Sequence, residues 1–206
     1  TKKIIDNSSK IYNSMVILDN KLNLISEYNK INLVPFGEFL PFEKFFKKLG
    51  LKKISYGYES FSAGNDRQLI SLDDKNFNFI PLICYEIIYS GKVNLKSDKT
   101  NFIINISEDG WFGNSIGPYQ HFSHSIFRAI EEGKNIIRVS NNGISAYIDS
   151  NGLIIDKLET TNKGVIEINN YKNSKMTFFS KFGNKIFFYF ILFYISLLFF
   201  NYKRER

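Results

Sequence analysis

A chain of 206 residues and 24.0 kDa has room for one domain with a sizeable core plus a small appendage, and 44% hydrophobic residues, with 21 Phe and 12 Tyr, exclude a disordered or low-complexity chain. Its single cysteine, Cys84, excludes an internal disulfide framework and a cysteine-based zinc cluster. The net charge of +7 invites a nucleic-acid reading, but the basic residues are scattered, with small knots at Lys47/Lys48, Lys52/Lys53 and Lys203/Arg204/Arg206; no nucleic acid is expected, and a solvated basic surface or anionic lipid headgroups fit better.

The chain opens Thr1-Lys2-Lys3, without methionine or an apolar leader-like stretch, and reads as a segment of something longer. Ser14–Leu18 and Leu24–Tyr28 flank Asp19, Asn20 and Lys21, which predicts two short strands joined by a turn. Asn76–Cys84 and Asn101–Ile106 are apolar runs of the kind that form strands buried on both faces. Pro118 opens an amphipathic helix with apolar positions Tyr119, Phe122, Ile126, Ala129 and Ile130, stopped at Gly133. Ile136–Val139, Ile144–Ile148 and Leu153–Ile155 then read as strands separated by Asn142-Gly143 and Asn151-Gly152 turns, so strands and helices are layered.

The last element differs in kind. Ile186–Phe200 is hydrophobic all round apart from Ser196, and counted to Tyr202 it gives about 17 residues, or roughly 25 Å of helix, at the short end of what spans a bilayer. Lys185 and Lys203/Arg204 flank it, which favours a membrane segment over a buried core helix. Charges on its two sides nearly balance and do not choose an orientation. The expected organisation is a domain over residues 1–170, a connector over 171–185, a transmembrane helix over 186–202 and a basic tail over 203–206.

Three segments carry residues with chemical capacity. An apolar strand stops at Cys84 in Pro81-Leu-Ile-Cys-Tyr-Glu86, where a thiol can be presented as a nucleophile, or can equally fill core space. In Lys30-Ile-Asn-Leu-Val-Pro-Phe-Gly-Glu38, Pro35 and Gly37 force a turn that sets an ammonium and a carboxylate on rigid backbone; the alternative is an ordinary salt bridge. Ser107–His121 places three glycines and the sole tryptophan, Trp111, on a strand-to-helix loop, either as a binding loop or as a loop held by a buried Trp. His121 and His124 stand three apart on the helix, but no third ligand at suitable spacing accompanies them, so neither metal nor other cofactor is expected.

Together, K-x-x-L-V-P-F-G-E-F-L-P with Lys30 and Glu38, I-C-Y-E with Cys84 and Glu86, D-G-W-F-G-N-S-I-G-P-Y-Q-H from Asp109 to His121 and S-N-N-G-I-S around Asn142 resemble the nitrilase superfamily, and within it the apolipoprotein N-acyltransferases. The resemblance runs from about Tyr12 to the C-terminus. It implies an α/β fold, the nitrilase-like four-layer α-β-β-α sandwich, N-terminally incomplete here and followed by one membrane helix. It also implies a Glu-Lys-Cys triad in which Cys84 is the nucleophile and Lys30 the lysine, the general-base glutamate lying upstream of Thr1. Glu38 corresponds to a second glutamate near the site, with Glu86, Tyr85, Trp111, Asp109 and Asn142 as supporting residues; Glu108 departs from the asparagine expected there.

The function so implied is transfer of an acyl chain from a phospholipid to a diacylglyceryl-modified apolipoprotein, by a monomer in the bacterial inner membrane, multi-pass at full length, with its catalytic domain facing the periplasm or exterior. Phe39, Phe42, Phe45 and Phe46 are candidates for touching lipid, or for core packing. Three other readings stay open: a membrane-tethered amidase using the same acyl-enzyme, a Cys84/His121/Asp109 triad, and a non-catalytic membrane-anchored binding module.

Overall fold

The computed structural model describes residues 1–5, 8–50, 60–72, 77–93, 95, 99–100, 102–171 and 175–204. Its centre is a six-stranded mixed sheet in the order β10-β9-β8-β7-β6-β5, made by β5 (Ile70–Leu72), β6 (Phe77–Ile83), β7 (Phe102–Glu108), β8 (Asn135–Asn141), β9 (Ser145–Ile148) and β10 (Ile154–Leu158). The strands β6, β7 and β8 are parallel; their neighbours run antiparallel. Two small antiparallel pairs precede it: β1 (Lys2–Ile5) with β2 (Ser8–Ile11), and β3 (Ser14–Leu18) with β4 (Leu24–Asn29).

Alternation along the central strands divides the core in two. Ile80, Leu82, Ile103, Ile136, Ala146 and Ile148 point to one face and pack with Phe122 and Ala129 of α2 (Gly117–Glu132). Phe79, Ile83, Phe102 and Tyr147 point to the other and pack with Met15 and Tyr28 of the β3–β4 pair. A helix, a mixed sheet and a second sheet thus lie in layers, as the nitrilase-like α/β class requires.

Local chemistry explains the ends. Helix α2 carries Pro118 in its first turn, and Gly133 stops it at φ 60°; a Cβ there would stand 2.1 Å from the Lys175 carbonyl oxygen, so only glycine fits. Of the helix's apolar positions, Phe122 and Ala129 are buried, whereas Tyr119 and Ile130 are about half exposed, a narrower core stripe than the spacing predicts. Pro81 is tolerated inside β6 because the pairing with β5 ends at Phe79, and Arg67 donates to the Pro81 carbonyl on that side.

After β10 the chain continues through α3 (Phe178–Phe182) to α4 (Lys185–Arg204), with α1 (Glu43–Lys48) lying earlier, between the Glu38 turn and β5. Thr177 caps α3 by accepting from the Ser180 amide, and its hydroxyl donates to the Glu131 carbonyl at the end of α2. Helix α4 presents apolar side chains on all sides with none of its apolar stretch buried, and Lys185–Lys203 is long and apolar enough to cross a membrane. Strands β1, β2 and β5 and the short helices α1 and α3 carry too few periodic residues to have been predicted. The side chain of Phe46 and residues 205–206 of the tail lie outside the described residues.

Candidate active site

Cys84 follows β6 directly and heads a 3₁₀ turn, Cys84–Ile88. Its φ is +53°, a left-handed conformation that a non-glycine residue adopts only when its surroundings hold it there. A strand that stops and turns sharply into a helix lifts the side chain at the corner out of the sheet, and the thiol of Cys84 reaches a cavity of about 320 Å³.

Lys30, Val34, Gly37, Glu38, Tyr85, Glu108, Trp111 and Phe112 complete the walls of that cavity. Lys30 comes immediately after β4 and is buried, so its ammonium would carry a large desolvation cost without a counter-charge. Glu38 supplies one at 2.7 Å. The same Glu38 oxygen accepts from the Val34 amide at 2.9 Å, and the other oxygen accepts from Asn13 at 2.8 Å. These three bonds hold the Glu38 carboxylate against Lys30. Trp111 is 60% exposed, which excludes the reading of its loop as one held by a buried Trp.

Glu86 lies beneath the cavity, fully buried, and joins its two halves. One oxygen accepts from the amides of Ile31 and Asn32, on either side of which the Lys30 loop continues, and the other accepts from the Ile83 amide just ahead of Cys84. The Tyr28 hydroxyl donates to both oxygens, and Arg67 stands 3.5 Å away.

A family model described as carbon-nitrogen hydrolase matches residues 2–169. The chain belongs to the carbon–nitrogen hydrolase family. Over 158 residues it is 39% identical to the apolipoprotein N-acyltransferase of Brucella melitensis, covering 77% of this chain and 30% of that one. Over 176 residues it is 40% identical to the apolipoprotein N-acyltransferase of Rickettsia typhi, covering 85% and 35%. The chain thus spans about a third of the length of the curated relatives it matches. Among solved structures, a carbon–nitrogen hydrolase superfamily protein from Xanthomonas campestris superimposes with a TM-score of 0.50 at 15% identity, over 74% of this chain and 54% of that one, and shares the fold.

Within this carbon–nitrogen hydrolase domain, Asp109 and Asn142 do not reach the Cys84 cavity. Asp109 is fully buried behind it, accepting from Ser107 at 2.8 Å and from Arg138 at 2.7 Å, with His121 Nδ1 at 2.8 Å. Burial pushes the Asp109 carboxyl up, but the His121 hydrogen bond and the Arg138 charge outweigh it and hold the group well below the usual carboxylate range. The other His121 nitrogen, Nε2, is buried without a hydrogen-bond partner among the described residues, so a Cys84/His121/Asp109 triad is not assembled. Asn142 takes up the left-handed turn position at φ 56° and lines a neighbouring hollow with Gly110, Ser115 and Thr161. Glu108 accepts from the Gly110 amide and from Asn141, bracing the Trp111 turn, while its carbonyl oxygen lies 4.0 Å from the Cys84 sulfur.

Tyr28, Arg67, Asn105 and Arg138 belong to the surroundings of the site and were not singled out from the sequence. Two of them left a signal: Asn105 and Arg138 interrupt strands that are otherwise apolar, and a polar residue inside such a run needs a partner.

Proposed function

We propose that this chain is the catalytic part of an apolipoprotein N-acyltransferase, which moves a fatty acyl chain from a membrane phospholipid, through a thioester on Cys84, to the α-amino group of the N-terminal diacylglyceryl-cysteine of an apolipoprotein. The observation that carries the reading is the meeting of Cys84 and the buried Lys30 in one cavity, in a chain with an exposed apolar helix and 39–40% identity to proteins of that name.

In the first step the Cys84 sulfur attacks the ester carbonyl, and the electron pair moves onto the carbonyl oxygen. Lys30 Nζ and the Tyr85 N–H hold that oxyanion. Collapse breaks the bond to the glycerol oxygen, and the thiol proton, taken up by a general base, leaves with the lysophospholipid. In the second step the α-amine attacks the thioester through a second oxyanion on the same donors; an amide forms, the C–S bond breaks, and an amine proton returns to the sulfur. Glu38 orients Lys30. The base is a glutamate expected ahead of Thr1, which completes a Glu-Lys-Cys triad. Both substrates reside in lipid, which suits a domain tethered by α4 at the bacterial inner membrane, facing the periplasm or exterior, with Phe42 and Phe45, both exposed, beside the lipid.

Incubating the full-length protein with phospholipid carrying a labelled acyl chain tests this. Label on Cys84 that hydroxylamine releases, and that passes to a diacylglyceryl-cysteine peptide as an amide, is the expected result. No label, or unchanged product from Cys84→Ala, overturns it; free acid and ammonia from a simple amide substrate would favour amidase chemistry instead.

A further inference from the structure

The backbone around Cys84 is held from two sides. On the cavity side Glu86 takes the Ile83 N–H. On the opposite, α2-facing side of the sheet stands Asn105, fully buried in the middle of β7, directly beside Leu82 of β6 and Arg138 of β8 in the strand register. Its side-chain amide donates to the carbonyl of Leu82 and to the carbonyl of Cys84, each at 3.3 Å. An amide NH₂ has two donors, and both are used on the two carbonyls that bracket the Ile83–Cys84 corner.

Asn105 is itself held. Arg138 donates one nitrogen to its side-chain oxygen and a second to Asp109 at 2.7 Å, while Arg138 Nε reaches the Ile144 carbonyl at 3.2 Å. Neither Asn105 nor Arg138 lines the Cys84 cavity, so neither touches a substrate. A guanidinium, a carboxylate and an amide are costly to bury beside Ile, Leu, Val, Ala and Phe side chains, and one of their hydrogen bonds fixes the peptide that follows Cys84.

That peptide is the one between Cys84 and Tyr85. A trans peptide is planar, with its N–H pointing opposite to its C=O. The Cys84 carbonyl faces Asn105, away from the cavity, so the Tyr85 N–H faces the other way. Tyr85 is second in a 3₁₀ turn, and its N–H has no acceptor within the turn.

We propose that Asn105, locked by Arg138, is a positioning residue that fixes the Cys84–Tyr85 peptide so that the Tyr85 N–H is aimed at the oxyanion. This rests on the acyl-transfer reading, in which an oxyanion forms twice at that N–H. It separates two properties of the same cysteine: attack on a carbonyl needs the aimed N–H, whereas alkylation of the sulfur by iodoacetamide forms no oxyanion and does not.

The test measures both rates on the full-length protein for wild type, Asn105→Ala, Asn105→Asp and Arg138→Lys, together with thermal melts. Aspartate keeps an acceptor for Arg138 but cannot donate to the two carbonyls; lysine keeps the charge beside Asp109 but cannot hold both neighbours. Thioester formation from labelled phospholipid is expected to fall on the order of 10²-fold in both Asn105 variants and by less in Arg138→Lys, the loss typical of one oxyanion donor, with alkylation within about twofold of wild type. Parallel loss of both rates, in step with a lowered melting temperature, would show a merely structural role and overturn the inference. So would an unchanged thioester rate in any Asn105 variant that folds, and if neither Asn105 variant folds the Arg138→Lys split decides by the same criterion. Absence of thioester in the wild type would instead count against the acyl-transfer reading itself.

Discussion

The Tyr28 hydroxyl lies 2.9 and 3.0 Å from the two oxygens of Glu86, so a strand of the second sheet is bonded to a carboxylate two residues beyond Cys84. Through Glu86 the loop bearing Lys30 and the turn bearing Cys84 are held as one unit, although 54 residues separate them in sequence.

Replacing Glu86 by Gln therefore strands several buried donors at once, because one of the two accepting oxygens becomes an NH₂ facing the N–H and O–H groups that Glu86 now serves. A loss of about 3 kcal/mol or more is expected, against about 1–2 kcal/mol for Tyr28→Phe. Denaturant melts of the two single variants and the double variant check this; the double should cost less than the sum, since both changes break one shared network.

Lys30→Met keeps the length of the stem but removes the ammonium. Thioester formation on Cys84 is expected to fall about 10²–10³-fold, the usual consequence of losing an oxyanion donor. Lys30→Arg should not restore it, because a planar guanidinium does not fit the compact point-charge site between Glu38 and the cavity. Single-turnover labelling with phospholipid reads both.

Asp109 links stability to pH. Its folded carboxyl releases its proton more readily than the unfolded one, whose pKa is about 3.9. The stability it contributes is thus fully present above that value and is lost as pH falls through the lower folded pKa. Asp109→Asn should flatten the acid limb of stability below about pH 4. At neutral pH it should cost about 3–5 kcal/mol, because Arg138 is left buried without its counter-charge. Unfolding measured at pH 7, 4 and 3 for both proteins gives the comparison.

The last helix is open to a direct insertion assay. Fused to a soluble reporter, the segment from Lys185 to Lys203 should keep the reporter in carbonate-washed membranes. Phe193→Arg, near its middle, should release much of it, as a central arginine opposes insertion by about 2.5–3.5 kcal/mol.

Much of this architecture could be read along the chain because it rests on local patterns. Apolar runs bounded by turn residues located β6, β7, β8 and β9, proline and glycine bracketed α2, and an unbroken apolar stretch marked α4, each element reporting its own period or length. The motifs carrying Lys30, Glu38, Cys84 and Trp111 were also visible, as was the family they resemble.

What only the tertiary structure decided is how those residues are held. Glu86 reads in sequence as a carboxylate near a cysteine; its burial between Tyr28, Ile31, Asn32 and Ile83 depends on two sheets packing face to face. Asp109 and His121 look like partners for a thiol, yet the fold brings the 3₁₀ turn that starts at Asp109 and the helix that carries His121 together against Arg138 of β8. Asn105 and Arg138 appear as flaws in apolar strands until parallel pairing sets Leu82, Asn105 and Arg138 in one row. A strand's alternation says which residues share a face, but which faces meet, and which carbonyl an amide finds there, follows only from the long-range pairing that no single segment encodes.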